Sequence, residues 1–266
     1  MIPRNIVFFS SSLGQKKNGV QKNKLFLYNF MNMNCSFFNI SCNKNLYNNL
    51  SSLYNCNFFL KEPIINIGGD HSMAISTVAS SLNKYKDLKV IWVDAHPDIN
   101  TFKNSKTKNY HGMPLSFLTG LDYNPKFSFI KNILPMKNIL YIGIRDIDEY
   151  EKKIINEKKI NYISVQDIRQ NFKSSMVKIN NFIDDSPIHV SFDVDAIDPK
   201  YIPCTGTPVK NGLNIKESIN LMKYLEKYNL VSMDITELNL ELGSINDKMK
   251  SISNFFKIFK SILGII

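Results

Sequence analysis

Seven short runs rich in Ile, Val and aromatic residues recur along the chain: NIVFFS, PIINIGG, KVIWVDA, NILYIGI, INYIS, IHVSFDVDA and LVSMDI. They constrain the fold more than any other feature, because apolar runs of this length suit strands covered on both faces. Helical patterns lie between them, in the stretch after GGDHS through SLNKYK and in DEYEKKIINEKK, SSMVKINNFIDD and IKESINLMKYLEKY. In the last of these, Ile215, Ile219, Met222 and Leu225 repeat at the spacing of a face laid on a sheet. Strands alternating with helices predict an α/β protein of three α-β-α layers with a mainly parallel central sheet. Asn18 to Asn57 shows no clear period and is expected to hold loops with one or two helices. The closing ISNFFKIFKSILGII fits a last helix sealing the core, with a membrane-surface helix as the rarer reading. No Pro/Gly/Ser-rich linker interrupts the 266 residues, so 1–266 is expected to form one domain.

Three of the runs end in acidic residues and histidine. PIINIGGDHS ends at Asp70 and His71, KVIWVDAHPDIN at Asp94, His96 and Asp98, and IHVSFDVDAIDP at Asp193, Asp195 and Asp198. In a parallel sheet, ligands bind at the carboxyl ends of strands. Alternation along an extended backbone would turn Asp94, His96 and Asp98 to one side, and Asp193 and Asp195 likewise. Carboxylates gathered this way repel one another and resist burial unless a counter-charge is present. Asp94, Asp98, Asp193 and Asp195 carry four negative charges, which two divalent cations cancel. Oxygen donors with one imidazole per ion favour Mn²⁺ or a similarly hard ion over structural zinc, with Mg²⁺, Fe²⁺ and Co²⁺ left open. His111 follows in NYHGMP, whereas His189, inside IHVSF, reads as a satisfied core residue.

The net charge of +10 would suit a nucleic-acid binder, but the lysines are scattered among asparagines and form no stripe interleaved with stacking aromatics. A solvated surface explains them. Cys35, Cys42, Cys56 and Cys204 lack CxxC spacing, and the apolar part of MIPRNIVFFSSSLG is too short for a signal segment or a membrane span. Free thiols and a cytoplasmic location follow as expectations, with neither nucleic acid nor membrane as partner.

GGDHS, VDAHPDIN, HGMPLSF, SFDVDAIDP, CTGTPV and DITELN occur in that order between about Asn66 and Asn239. This series resembles the ureohydrolases, the binuclear manganese family of arginases and agmatinases, and is closest to arginase. The resemblance implies an arginase-like fold and two Mn²⁺ per subunit. It implies that His71, Asp94, Asp98 and Asp193 hold one ion and Asp94, His96, Asp193 and Asp195 the other. It further implies that a hydroxide shared by the ions attacks the guanidinium carbon, that Asp98 orients it and passes a proton on, and that His111 shuttles protons. Glu237 would pair with the substrate guanidinium. Thr207 would line the same pocket, although a turn role in the Thr-Gly-Thr-Pro bend competes with that reading.

Discrimination among substrates rests on what grips the far end of the molecule. Asn100, Thr107 and Asn109 match positions that meet an α-carboxylate in arginases, and Asp148 and Glu151 match acidic positions that receive an α-ammonium. The resemblance therefore implies hydrolysis of L-arginine to L-ornithine and urea, the alternative being agmatinase or another guanidino or formimino hydrolase. A non-catalytic descendant is disfavoured because every metal position of the pattern is filled. The chain departs from the pattern at Lys108, which stands where arginases carry glycine, and a side chain there could obstruct the substrate. Its N-terminal SLGQKKNGVQKNKLFLYNF only faintly resembles the family's glycine-rich opening. Oligomeric state stays open, a homo-oligomer being allowed.

Overall fold

In a computed structural model describing residues 4–22 and 35–263, eight strands form one sheet in which every pairing is parallel. The strands are β1 (Arg4–Phe9), β2 (Cys35–Ile40), β3 (Ile64–Ile67), β4 (Lys89–Val93), β5 (Ile139–Ile142), β6 (Asn161–Ile163), β7 (Ile188–Asp193) and β8 (Leu230–Thr236). Their order is β2-β1-β3-β8-β7-β4-β5-β6. All seven expected runs are strands. The eighth, β2, falls in the segment expected to hold only loops and helices, and corrects that expectation. As an edge strand whose residues are mostly exposed or half-buried, CSFFNI needs no continuous apolar pattern.

Among the described residues, eight α-helices cover the sheet: α1 (Leu46–Phe59), α2 (Ala74–Lys84), α3 (Pro114–Leu118), α4 (Glu149–Glu157), α5 (Val165–Gln170), α6 (Phe172–Ile183), α7 (Ile215–Leu225) and α8 (Ile245–Ile262). Alternation along the strands sorts them into two layers. Val90 and Trp92 of β4 face α1–α4, meeting Leu50, Leu53, Val78, Leu118 and Ile154. Ile91 and Val93 face α5–α8, meeting Ile168, Ile179, Leu225 and Phe259. The three expected layers are therefore present. Helix α8 starts at a Ser244/Asp247 capping box and buries Phe255, Ile258, Phe259 and Ile262 in the core, so the C-terminal amphipathic pattern is spent on packing. Among the described residues no helix is long and apolar enough to cross a membrane.

The strand order fixes where a site can form. Chain leaving β4 continues to β5 on one side, while chain leaving its neighbour β7 returns through α7 to β8 on the other. Such a divergence opens a crevice at the carboxyl ends of the strands. Four consecutive strands, β3, β8, β7 and β4, border it, and each ends in, or runs within a few residues into, one singled out from the sequence: His71, Glu237, Asp193 and Asp94.

Candidate metal centre

Asp94, His96, Asp193 and Asp195 converge, but not by alternation along extended strands. Strand β4 ends at Val93; beyond it the chain bends through Asp94–His96, and Asp98 sits at φ +48. After β7, Val194–Ala196 forms a 3-10 turn capped by the Asp193 carboxylate, which accepts the Asp195 N–H at 2.8 Å. Asp94 likewise accepts the His96 N–H at 2.7 Å. Strand-end turns stapled by their own carboxylates create the convergence, which corrects the alternation argument.

Two groups result. One ligand atom each from His71, Asp94 and Asp193 lies within 4.8 Å of the others, and so do atoms of Asp94, His96 and Asp195. Asp94 belongs to both. His71 Nδ1 faces oxygens of Asp98, Asp94 and Asp193 at 3.0, 3.1 and 3.3 Å, which adds Asp98 to the first group. His96 Nδ1 stands 3.1 Å from Asp195 and 3.5 Å from Asp94. Apart from His96, these side chains are buried.

The electrostatics are those of anions lacking sufficient counter-charge. Burial, then Asp195 and Asp94, push the Asp193 carboxyl well above its ordinary pKa. Burial and Asp94 raise Asp98 to about 6 and also raise Asp195. Burial alone would lower the His71 and His96 pKa values, yet the surrounding carboxylates more than reverse it and hold both well above the usual range. Asp94 is held low, because hydrogen bonds and charge from the two imidazoles outweigh its burial. Protonated histidines thus do in the metal-free protein what cations would do better.

The donor set fits divalent ions. His71 Nδ1 is buried and, among the described residues, makes no well-aligned hydrogen bond, while its Nε2 lies 2.9 Å from Ser191 Oγ. Once Nδ1 gives up its proton, with the Nε2 proton directed at Ser191, its lone pair points at three carboxylates, an arrangement that a cation turns from repulsive to favourable. The His71 ring stacks on Trp92 at 4.2 Å, and Trp92 Nε1 donates to Asp94 at 3.0 Å. Behind this, Ser191 donates to Asp234, whose buried carboxylate also accepts from Asn66, Thr77 and His189. His189 is accordingly a satisfied core residue, its second nitrogen 2.9 Å from Ser81 Oγ. This buried network was not foreseen; the polar residues Asn66, Thr77, Ser191 and Asp234 inside apolar segments were its only sequence signal.

A cavity of about 140 Å³ opens above the cluster, lined by His96, Asp98, Asn100, Ser105, Thr107, His111, Gly112, Asp148, Glu151, Asp193 and Thr207. Ser105 and Gly112 were missed: Ser105 lies in a loop and Gly112 in the 3-10 turn at Tyr110–Gly112, and neither residue type marks a site. Thr207 holds a cluster carboxylate as well as lining the cavity, for its Oγ1 donates to Asp195 at 2.9 Å. Asp148 accepts from Asn100 Nδ2 at 2.7 Å. Glu151 lines the cavity, but its oxygens already accept the N–H groups of Asp148 and Ile99, closing the α4 capping box. Burial, then Asp98, raises its pKa to about 8. Asn109 and Glu237 are the exceptions among the expected contacts, neither lining the cavity: Asn109 stands at the N-cap position of the 3-10 turn at Tyr110–Gly112 without a side-chain cap bond, and Glu237 lies behind His111.

Glu237 is buried beside the cluster at φ +65, a conformation that costs a side-chain-bearing residue about 1–2 kcal/mol. Such strain is characteristic of functional positions. His111 Nδ1 lies 3.0 Å from Glu237, and the His71 N–H donates to the same oxygen at 3.0 Å. Burial opposes the ionised form of both partners. Even so, each is held charged by the other, with His111 raised to about 9 and Glu237 lowered. Asp70 and Asp198 are structural: Asp70 caps the turn at His71–Met73, and Asp198 accepts the N–H groups of Lys200 and Asn211.

Lys108 does not obstruct the cavity. Its backbone has φ +60, which explains why glycine suits the position, and its ammonium turns outward to the carbonyls of Phe102 and Lys103. Lys108→Gly is therefore expected to stabilise the protein by up to about 1 kcal/mol in chemical denaturation. KM should stay within a factor of two, and a large KM change would place the side chain in the substrate's path after all.

A family model described as "Arginase family" matches residues 1–254. The arginase of Neurospora crassa is 42% identical over 197 residues, covering 69% of this chain and 55% of that protein. The arginase of Saccharomyces cerevisiae is 37% identical over 212 residues, covering 75% and 62%. The chain thus spans 55–62% of the length of these two curated relatives. A crystal structure of Entamoeba histolytica arginase in complex with L-ornithine superposes with a TM-score of 0.90 at 31% identity, covering 98% of both chains. With its sheet, its strand-end cluster and these matches in agreement, the chain belongs to the arginase family.

Proposed function

We propose that the protein, folded as one domain over 1–266, hydrolyses the guanidinium group of L-arginine to L-ornithine and urea, using two Mn²⁺ ions. The observation that carries this reading is the pair of His/Asp groups sharing Asp94 on the floor of a polar cavity. His71, Asp94, Asp98 and Asp193 would hold one ion, and Asp94, His96, Asp193 and Asp195 the second. When bound, the ions supply a water-derived nucleophile at neutral pH and offset charge on the reacting group.

The chain's own residues do the rest. Glu237, kept ionised by His111, offers a buried carboxylate to a planar cation. Thr207 steadies Asp195, while Asp98, beside His71, is placed to hold the proton that the leaving amine needs. His111, with a partly exposed side chain, exchanges protons with solvent. Asn100 and Asp148, paired at the cavity wall, and Thr107 meet the α-carboxylate and α-ammonium of the substrate. Glu151 supports them by fixing the Asp148 backbone.

Urea release by Mn²⁺-loaded protein tests the reading. Arginine should be turned over in preference to agmatine, which lacks the α-carboxylate. Asp148→Ala should lower kcat/KM for arginine by about tenfold or more, the value of one charge-assisted contact, and for agmatine by no more than about threefold. Equal losses on both substrates would contradict the assignment of Asp148, and agmatine preferred by the parent protein would contradict arginine as substrate.

A further inference from the structure

The Glu237 carboxylate has a third partner, and it comes from the other end of the chain. Gln15 Nε2 donates to Glu237 Oε2 at 2.8 Å across 222 positions of sequence. The other oxygen, Oε1, is occupied by the His71 N–H and His111 Nδ1. A carboxylate presents about four lone-pair sites. Three are thereby taken, and the one left for a ligand lies on the oxygen that Gln15 orients.

The Gln15 backbone is held as firmly as a buried site requires. The Gly14 N–H donates to Asp70 at 2.9 Å, and the Gly14 carbonyl accepts the His111 N–H at 3.1 Å. A Cβ added at Gly14 would lie 2.3 Å from Asp70 Oδ1, so only glycine lets the chain pass this close. Three residues before Gly14, the Ser11 carbonyl accepts the Asp70 N–H at 3.0 Å. Two residues beyond Gln15, Lys17 Nζ reaches the Gly206 carbonyl, next to Thr207. A Cβ at Gly206 would meet Gln15 Oε1 at 3.5 Å and Glu237 Oε2 at 3.9 Å, so the strap, the 206–207 backbone and Glu237 are packed against each other. Residues 11–17 form a strap over the end of the site where the Glu237 carboxylate sits.

We propose that Gln15 is a positioning residue for guanidinium recognition: it fixes the rotation of the Glu237 carboxylate so that its one free lone pair faces the planar cation. This rests on the functional reading given above. Without the amide, Glu237 stays bound through Oε1 but can rotate about its last bond, and the geometry a guanidinium demands is lost while the metal cluster is untouched.

Gln15→Leu removes the donor at nearly constant size, and Gln15→Glu replaces it with a second carboxylate on the same strap. For Gln15→Leu we expect KM for arginine to rise about tenfold with kcat changed less than threefold. The inhibition constant of L-ornithine, which has no guanidinium, should stay within twofold. Gln15→Glu should raise arginine KM further and leave ornithine inhibition alone. The split between the two ligands is what a merely structural role would not produce, and circular dichroism with the Mn²⁺ content confirms that each variant is folded and loaded. Should Gln15→Leu fail to fold, the same comparison on Gln15→Glu decides. Parallel rises in arginine KM and ornithine inhibition constant, or an unchanged arginine KM in a folded variant, would overturn the proposal. Parent protein that hydrolyses no guanidino compound would instead remove the functional reading beneath it.

Discussion

Asp193→Ala is expected to lower urea release from arginine by on the order of a thousandfold while leaving the metal-free protein at least as stable as the parent. The rate loss follows from the position of Asp193, which faces His71 at 3.3 Å and would touch both ions. An ion acting as a Lewis acid and nucleophile generator contributes several kcal/mol, and about 4 kcal/mol is a thousandfold in rate. The stability result follows from the same geometry. Burial and the charges of Asp195 and Asp94 make the Asp193 carboxyl hard to ionise, so deleting it when no metal is present relieves a repulsion that outweighs the loss of its cap on the Asp195 N–H, worth about 1 kcal/mol. Steady-state urea assays with added Mn²⁺ and thermal melts in EDTA measure the two halves. A variant that retains most of its activity, or one much less stable than the parent in EDTA, would show that Asp193 serves the fold and not the ions.

The second large effect is a stabilisation by metal that grows with pH. In the metal-free protein, Asp98 and Asp70 are raised to about 6 and Glu151 to about 8, burial being the leading cause each time. His71, His96 and His111 are raised as well. Groups whose folded pKa lies above the unfolded value bind protons more tightly in the fold, so stability falls as pH rises through that interval. Between pH 5 and pH 8 the EDTA-treated protein should lose stability, with each such group contributing about 1.4 kcal/mol per pH unit while it is protonated only in the fold. Below about pH 4.5 the trend turns over, because Asp94 and Glu237 are held low and their stabilisation is lost as they protonate. Mn²⁺ takes the place of those protons, so the gain in melting temperature on adding it should be larger at pH 8 than at pH 5.5. At a thousandfold excess over its dissociation constant, a site-bound ion adds about 4 kcal/mol. A metal-free protein that instead becomes more stable from pH 5 to 8, with the same gain from Mn²⁺ at both ends, would mean that the carboxylates are not crowded as described.

Both effects arise from residues the sequence exposes, because acids and histidines at the ends of apolar strands have few structural explanations. Seven strands and the helices α2, α4, α6, α7 and α8 follow from periodicity for a related reason: each carries enough apolar residues into the core to keep its period legible, even where a polar residue such as Asn66, Thr77 or Ser191 is buried among them. The features that escaped are those in which polar residues are buried on purpose or exposure hides a strand. Helix α1 is expected only as an unplaced helix within Asn18–Asn57: it buries Asn49 and Asn57 on its inner face, and Asn57 bonds to Asn66 of β3, so its apolar period is broken by residues that look like loop. Strand β2 sits at the sheet edge with little to bury. The bend after Val93 and the positive φ of Asp98 replace the extended geometry that the spacing suggested, and no local residue signals them, as glycine would have. Gln15 lies in a polar stretch whose importance depends wholly on a partner 222 positions away.

The central claim is that four aspartates and two histidines from three strand ends form a paired cation site. Anomalous diffraction from crystals of the protein grown with Mn²⁺ tests it most directly. The expected result is two manganese peaks separated by about 3.5–4 Å, with oxygens of Asp94 and Asp193 between them and His71 and His96 on opposite sides. Fully occupied manganese found elsewhere, with these side chains left in contact only with one another, would contradict it.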